Sequence, residues 1–380
     1  MDELPPRTLL AHNGARIFGG AERWTVRLLV RLQERGHRVL LLCQDEHVGE
    51  RARSFGIEAE VARLGGHASL HDALSFSRAL ARHRPDGLLL GTFKKTWLGG
   101  LGAALARVPR VIARVGLSTD LPGRRAVYRL AFRRWMTRVV ANADGIRRAV
   151  LADLPGLDPR RVITLYNGVE PPPRRREPGA LRRALGLEAG TVVLGAVARL
   201  DGQKRLDRLV RTLALLPERV HCVLAGDGPE RPGLESLARA AGLSGRVHFI
   251  GHTEDVGDVL DALDLFVVTS RSEGMSNAML EALSAGVPVV STPVSGAAEA
   301  LDPLADGRRP GVVARPDEAS LAAAVSELLA DPSRLGAMSD AARARALERF
   351  DAAEKTRKWE ALLGGDTMAV AHEGPSPLVP

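Results

Sequence analysis

The chain has 380 residues, 45% hydrophobic and 26% charged, enough apolar material for two or three globular domains. No uninterrupted apolar run is long enough to cross a bilayer, and the start Met1–Arg7 lacks a signal-peptide pattern, so the expected location is the cytoplasm, with a peripheral station at the inner membrane face as an added option. Cys43 and Cys222 lie in separate apolar runs, which argues against a disulfide or thiolate metal site and makes both core residues. The formal charge of +8 is uneven: residues 1–170 carry 28 Lys and Arg against 16 Asp and Glu. Arginine pairs run through that half (Arg124-Arg125, Arg133-Arg134, Arg147-Arg148, Arg160-Arg161), and Arg174-Arg175-Arg176 follow. Such a surface is either simply solvated or faces an anionic partner: phospholipid, a phosphorylated acceptor or nucleic acid.

In chain order, the pattern predicts a strand over Arg7–His12, a turn at Gly19-Gly20, a helix over Ala21–Arg35 and a strand over Arg38–Cys43, a βαβ start. A helix near Leu70–His83 and strands at Gly87–Leu90, Val111–Val115 and Val139–Ala141 continue the alternation. Asn167-Gly168-Val169-Glu170 and the three prolines after it break all periodicity, so a linker is placed at about 168–180. A second series follows: strands Val192–Val197, Val220–Ala225, Val247–Gly251, Leu265–Thr269, Val289–Ser291 and Val312–Val313, with helices Arg205–Leu216, Glu230–Ala241, Val256–Leu263 and Ala278–Leu283 between them. The expected fold class is α/β with two Rossmann-like, doubly wound parallel sheets. The expected domains are residues 1–170 and 171–350, then a helix over 351–363 packing back on the first domain and a disordered tail over 364–380, where Gly, Pro and Ser collect.

The most informative stretch is Glu273-Gly274-Met275-Ser276-Asn277-Ala278-Met279-Leu280-Glu281. Glu273 falls in the loop after a buried strand. With Ser276 or Asn277 as N-cap, Glu281 lies about one turn inside the next helix, roughly 6–8 Å further along its axis. Between the two carboxylates, backbone N–H groups at the positive end of the helix suit a diphosphate. One carboxylate is then placed to grip sugar hydroxyls and the other a ribose.

These residues, with Gly19-Gly20-Ala21-Glu22, Asn167-Gly168-Val169, Val197-Ala198-Arg199-Leu200 and Lys204, Ala225-Gly226-Asp227-Gly228-Pro229, Phe249-Ile250-Gly251 and Gly286-Val287-Pro288, resemble the large family of retaining, nucleotide-sugar-dependent glycosyltransferases with the GT-B fold, the fourth sequence family (glycosyl transferases group 1). The resemblance implies two Rossmann-like domains facing a cleft, a nucleoside-diphosphate sugar as co-substrate held by the carboxy-terminal domain, an acceptor presented by the amino-terminal domain, and no cofactor or metal. Arg199 and Lys204, at and after the end of the first strand of the second domain, can neutralise the departing diphosphate. Within that likeness the catalytic candidates are Arg199, Lys204 and Glu273, and the donor-binding candidates are Gly19, Gly20, Gly274, Met275, Ser276, Asn277 and Glu281. Glu273 is assigned to hydroxyls of the transferred sugar and Glu281 to the ribose.

One departure stands out. The family often carries a histidine at the end of an amino-terminal strand, whereas here Arg114 follows Ala113 and Lys94 follows Phe93. Arg114 and Lys94 are therefore acceptor-side candidates; a guanidinium cannot serve as general base. His67 and His71, on a loop, are either substitutes for that histidine or plain surface histidines. The expected activity is retaining, metal-independent transfer to a glycan, lipid-linked or small-molecule acceptor, with an anionic membrane surface as a further partner. Two rivals stay open: a nucleotide-sugar epimerase or hydrolase, and a basic anion-, nucleic-acid- or membrane-binding module, for which no nucleic-acid motif is present.

Overall fold

A computed structural model describes residues 4–64, 70–117 and 126–374. The chain divides into two compact units, Met1–Gly168 with Ala352–Pro380, and Val169–Asp351.

In the first unit the order is β1 (Thr8–Asn13), α1 (Gly20–Glu34), β2 (Arg38–Cys43), α2 (Glu46–Arg53), β3 (Ala59–Val61), α3 (Leu70–His83), β4 (Gly87–Leu90), α4 (Thr96–Leu105), β5 (Arg110–Val115), α5 (Ala126–Arg134), β6 (Arg138–Ala141), α6 (Asp144–Asp153) and β7 (Val162–Thr164). The strands pair in the order β3-β2-β1-β4-β5-β6-β7, every pair parallel. Both faces are buried, so successive strand residues serve opposite cores: Leu10, Leu40, Leu88 and Leu90 face Phe76 and Phe132, while Leu9, Leu41 and Leu89 face Leu29 and Leu32.

The second unit contains α7 (Ala180–Ala184), β8 (Val192–Val197), α8 (Leu206–Ala214), β9 (Val220–Ala225), α9 (Arg231–Ala240), β10 (Val247–Gly251), α10 (Val256–Asp261), β11 (Leu265–Val268), α11 (Asn277–Ala285), β12 (Val289–Ser291), α12 (Ser295–Leu301), β13 (Gly311–Val313), α13 (Glu318–Leu329) and α14 (Pro332–Phe350). Its parallel sheet runs β10-β9-β8-β11-β12-β13. Strand order reverses between β1 and β4 in one sheet and between β8 and β11 in the other. These are the switch points where ligands collect in doubly wound folds.

The chain leaves the first unit at Gly168, where an added Cβ would come within 2.8 Å of the Cα of Ala352, so the Asn167-Gly168-Val169 motif is a close passage of backbone. The returning helix α15 (Ala352–Gly364) belongs to the first unit. Its Trp359 meets Trp24 edge-on at 5.3 Å, its Glu360 pairs with His37 at 2.7 Å and Arg35 at 2.8 Å, and the carbonyl of Leu363 lies 2.1 Å from where a Cβ on Gly87 would stand.

The disordered tail expected over 364–380 is corrected for its first part. Residues 364–374 are folded against the first unit; 375–380 lie outside the described residues. Arg110 and Arg138 donate to the carbonyls of Gly365 (2.7 Å) and Thr367 (2.8 Å). Glu373 accepts from the Tyr166 N–H at 2.9 Å and from Lys355 at 2.8 Å. The backbone N–H of Glu373 donates to Thr164 of the edge strand β7 at 3.0 Å. Composition misled because the partners of this Gly- and Ser-bearing stretch are arginines at the amino ends of β5 and β6 and an unpaired sheet edge, none of them local in sequence.

The linker arginines are also reassigned. Arg174, Arg175 and Arg176 reach Asp261, Asp255 and Asp258 at 2.6, 3.1 and 3.9 Å. An internal acidic ladder, not an external anion, takes their charge.

Candidate functional site

The second unit carries the more complete cluster. The loops after the adjacent strands β8 and β11 are tied to each other: Arg271 N–H donates to the Gln203 carbonyl (2.9 Å), Gln203 Nε2 to the Ser272 carbonyl (2.9 Å), and Thr269 Oγ1 to the Lys204 carbonyl (2.9 Å). This lacing brings Lys204 Nζ to 2.7 Å from Glu273 Oε1, an oxygen that also accepts from Ser270 Oγ. The pair is largely enclosed, with 24% of the lysine side chain and 10% of the glutamate side chain exposed. An ammonium has three donors, so Lys204 can hold Glu273 and still present two N–H groups. Arg199, after β8, is half-exposed and 4.0 Å from Asp201. Each predicted cation therefore has a carboxylate beside it, which lowers the net positive charge below the sum of two.

The start of α11 is built as the sequence suggests. Ser276 is the N-cap, its hydroxyl accepting from Met279 N–H at 3.4 Å, and Gly286, with φ of 80°, ends the helix. Gly274, Met275 and Ser276 are buried. The carbonyls of Glu273 and Gly274 are taken by the N–H groups of Ser295 (3.1 Å) and Gly296 (2.8 Å), and a Cβ on Gly296 would fall 2.5 Å from the Gly274 oxygen. The loop is thus clamped through its carbonyls. The N–H groups of Gly274, Met275 and Ser276 have no acceptor among the described residues, which is the arrangement an anion completes. Glu281 is 7% exposed on the same helix.

A second pair of loops is fixed by glycine. After β9, Gly226 has φ of +132°, and its Cβ would lie 1.8 Å from the Ala198 carbonyl; a Cβ on Gly228 would lie 2.3 Å from the Leu200 carbonyl. With Leu200 N–H on the Asp227 carbonyl (3.0 Å) and Glu230 N–H on the Leu200 carbonyl (2.9 Å), these contacts hold the backbone on either side of Arg199.

In the first unit, β1 and β4 end side by side: Gly14 N–H donates to Thr92 Oγ1 at 2.8 Å. Gly19 and Gly20 are exposed at the start of α1. The Glu22 carboxylate reaches back to the Gly19 N–H at 3.0 Å and also accepts from Asn13 Nδ2 at 3.3 Å. That bond, the glutamate half of a capping box, occupies the Gly19 N–H and puts a carboxylate beside the turn. Arg114, at the end of β5, is 6% exposed. Its guanidinium carbon lies 4.0 Å over the Trp24 ring, and Nη2 donates to Asn167 Oδ1 at 3.0 Å. Burial pulls its pKa down to about 10, against the attraction of Glu22. This cation is interior to the unit, between Trp24 and Asn167. The Lys94 side chain and His67 lie outside the described residues; His71 is exposed on α3.

Sequence reasoning missed Gln203, Ser270, Ser295 and Gly296 in the second unit, and Gly14 and Thr92 in the first. The Gly14 Cβ position lies 3.1 Å from Lys95 Cγ, and burial lowers the Lys95 pKa, opposed by Asp72. The switch-point rule would have found both loop pairs. His12 is also buried, edge-on to Phe76 at 5.2 Å, and desolvation lowers its pKa to about 4, so it is neutral at physiological pH.

Two family models match the chain: Glycosyltransferase Family 4 over residues 18–171 and Glycosyl transferases group 1 over residues 191–331. Among curated proteins, the chain is 34% identical over 205 residues to the lipopolysaccharide core biosynthesis glycosyltransferase LpsE of Rhizobium meliloti (strain 1021), covering 54% of this chain and 57% of LpsE. The chain thus spans little more than half the length of that relative. It is 29% identical over 288 residues to the alpha-maltose-1-phosphate synthase of Mycolicibacterium smegmatis (strain ATCC 700084 / mc(2)155), covering 67% of this chain and 73% of the synthase. Among solved structures, Anabaena Alr3699/HepE in complex with UDP and glucose superposes with a TM-score of 0.80 at 23% identity, over 93% of this chain and 98% of that one.

Proposed function

Because the chain belongs to the glycosyl transferases of group 1, with the two parallel-sheet domains of the GT-B fold, we propose that it transfers a sugar from a nucleoside diphosphate to an acceptor hydroxyl, with retained configuration and without a metal. The observation that carries this reading is the Lys204–Glu273 pair at the β8–β11 switch point, beside the uncommitted N–H groups at the start of α11. Glu281 holds the ribose, Glu273 the hydroxyls of the transferred sugar, and Lys204, with Arg199, the diphosphate. The bond from the anomeric carbon to the diphosphate breaks while a bond to the acceptor oxygen forms on the same face, and a phosphate oxygen takes the acceptor proton. Positioning and charge stabilisation then supply the rate.

UDP is the first nucleotide to test, because HepE was crystallised with UDP and with UDP-glucose. An envelope or lipid-linked glycan is the acceptor class we favour, supported by the role in lipopolysaccharide core biosynthesis of LpsE and by the basic first 170 residues. The test is nucleotide release from UDP-, GDP-, ADP- and TDP-sugars in EDTA, with and without lipid extract, followed by the anomeric configuration of the product. Acceptor-dependent release with retained configuration supports the reading. Equal nucleotide release without acceptor replaces it with a hydrolase, conversion of the donor sugar without nucleotide release replaces it with an epimerase, and turnover only with added divalent metal removes the metal-free mechanism.

A further inference from the structure

Two of the arginine pairs have internal partners, and Arg124-Arg125 lie outside the described residues. Arg147 and Arg148 reach Asp144 at 3.8 and 3.0 Å, and Arg160 reaches Asp158 at 3.2 Å. Arg161 donates to the carbonyls of Arg133 and Met136. Arg133-Arg134 on α5, with Arg129 one turn earlier, differ: among the described residues no carboxylate pairs with any of the three.

Helix α5 buries Tyr128, Ala131 and Phe132 and turns the opposite face outward. Val127 and Leu130, three residues apart on that face, are 37% and 54% exposed, and Arg129, Arg133 and Arg134 flank them, all exposed. A groove of ≈ 680 Å³ follows the helix, lined by Leu130, the three arginines and Pro155. A second, of ≈ 500 Å³, shares Arg134 and continues past Trp135 to Arg107. The surface is an apolar strip bracketed by uncompensated arginines, and none of the contacts at the carboxyl ends of the strands uses it.

We propose that this face of α5 seats the chain on an anionic phospholipid bilayer, with Val127 and Leu130 entering the acyl boundary and Arg129, Arg133 and Arg134 meeting the lipid phosphates. The partner must offer many negative charges over a broad area and also accept apolar side chains. A nucleic acid backbone supplies the charges without the apolar layer; an anionic bilayer supplies both. Two apolar side chains bind weakly alone, so charge carries most of the affinity and salt weakens it. The inference gives the lipid-linked acceptor reading a membrane to work at. Vesicle binding needs neither donor nor acceptor, so the two can fail separately.

The test is co-sedimentation of the full chain with phosphatidylcholine vesicles with and without phosphatidylglycerol. Each arginine contributes about fivefold, so Arg129→Gln/Arg133→Gln/Arg134→Gln should weaken binding on the order of 100-fold. Leu130→Asn should weaken it about threefold or more. A matched neutralisation of three exposed arginines on the second unit, Arg211→Gln/Arg219→Gln/Arg239→Gln, should leave it within about twofold. Unchanged circular dichroism and thermal melting confirm that each variant is folded. Absence of pelleting with anionic vesicles, equal pelleting with pure phosphatidylcholine, or an equal loss in the second-unit variant would overturn the proposal. So would indifference to Leu130→Asn alongside tight, salt-sensitive binding of duplex DNA, which would make the face a nucleic-acid surface.

Discussion

Replacing Lys204 by alanine separates the proposed chemistry from simple binding. As the donor's anomeric bond breaks, the diphosphate gains one negative charge, and an ammonium about 4 Å away stabilises a full unit by about 4 kcal/mol at an effective dielectric near 20. Glu273 Oε1, 2.7 Å from Lys204 Nζ, offsets part of that field, and only part of the charge has developed at the transition state. An expected loss of about 3 kcal/mol corresponds to roughly a hundredfold fall in kcat. KM for the donor should rise far less, because the ground-state diphosphate feels the same cation more weakly than the transition state does. Stability should fall by only about 1–2 kcal/mol, since the lysine is 24% exposed and Glu273 keeps its bond from Ser270. Steady-state nucleotide release at saturating donor, with urea denaturation of the same preparation, reads all three quantities. A folded Lys204→Ala protein whose kcat stays within about threefold of wild type would refute the assignment of Lys204 to the departing diphosphate.

Three structural predictions accompany it. Gly226→Ala places a Cβ 1.8 Å from the Ala198 carbonyl at φ of +132°, so it should cost about 3 kcal/mol or more and abolish donor binding, measured by thermal melting and titration. His12 titrates near 6.5 unfolded and about 4 folded, so the folded state binds fewer protons in that window. Its stabilising contribution, about 3 kcal/mol, is present above pH 6.5 and lost as pH falls through about 4. His12→Gln should flatten the pH dependence of urea stability in that window. Removal of residues 365–380 strips Glu373 from Lys355, which is 4% exposed and keeps only Glu354 at 3.3 Å. Unfolding free energy should drop by about 3 kcal/mol; an unchanged midpoint in urea would show that the folded tail is ornamental.

The parts legible in sequence were those set by local pattern. The apolar run Leu265–Val268 followed by Ser276 and closed by Gly286 marked a strand and a capped helix whose expected span, Ala278–Leu283, falls one residue short of the observed α11 at its start and two at its end, because capping and left-handed termination are decided by the residues themselves. Bringing Lys204 to Glu273 needed the sheet order, since the two lie 69 residues apart. The linker arginines were read outward because Asp255, Asp258 and Asp261 were not weighed against them, although their three-residue spacing already placed them on one side of a helix. The turn at Gly19-Gly20 and the helix after it were legible, while the reach of the Glu22 carboxylate back to the Gly19 N–H was not drawn from the same residues. Arg114 could be placed at a strand end, but its burial against Trp24 depended on packing of α1 over the sheet.

The central claim is that the β8–β11 switch point of the second unit holds a nucleoside diphosphate. Isothermal titration of the EDTA-treated full chain with UDP, GDP, ADP and TDP, repeated on Glu281→Ala, tests it most directly. Saturable binding of one nucleotide, weakened about 10- to 100-fold by loss of a charged hydrogen-bond acceptor in a variant that melts like wild type, is the predicted result. Absence of binding for all four, or equal affinity in Glu281→Ala, would contradict it.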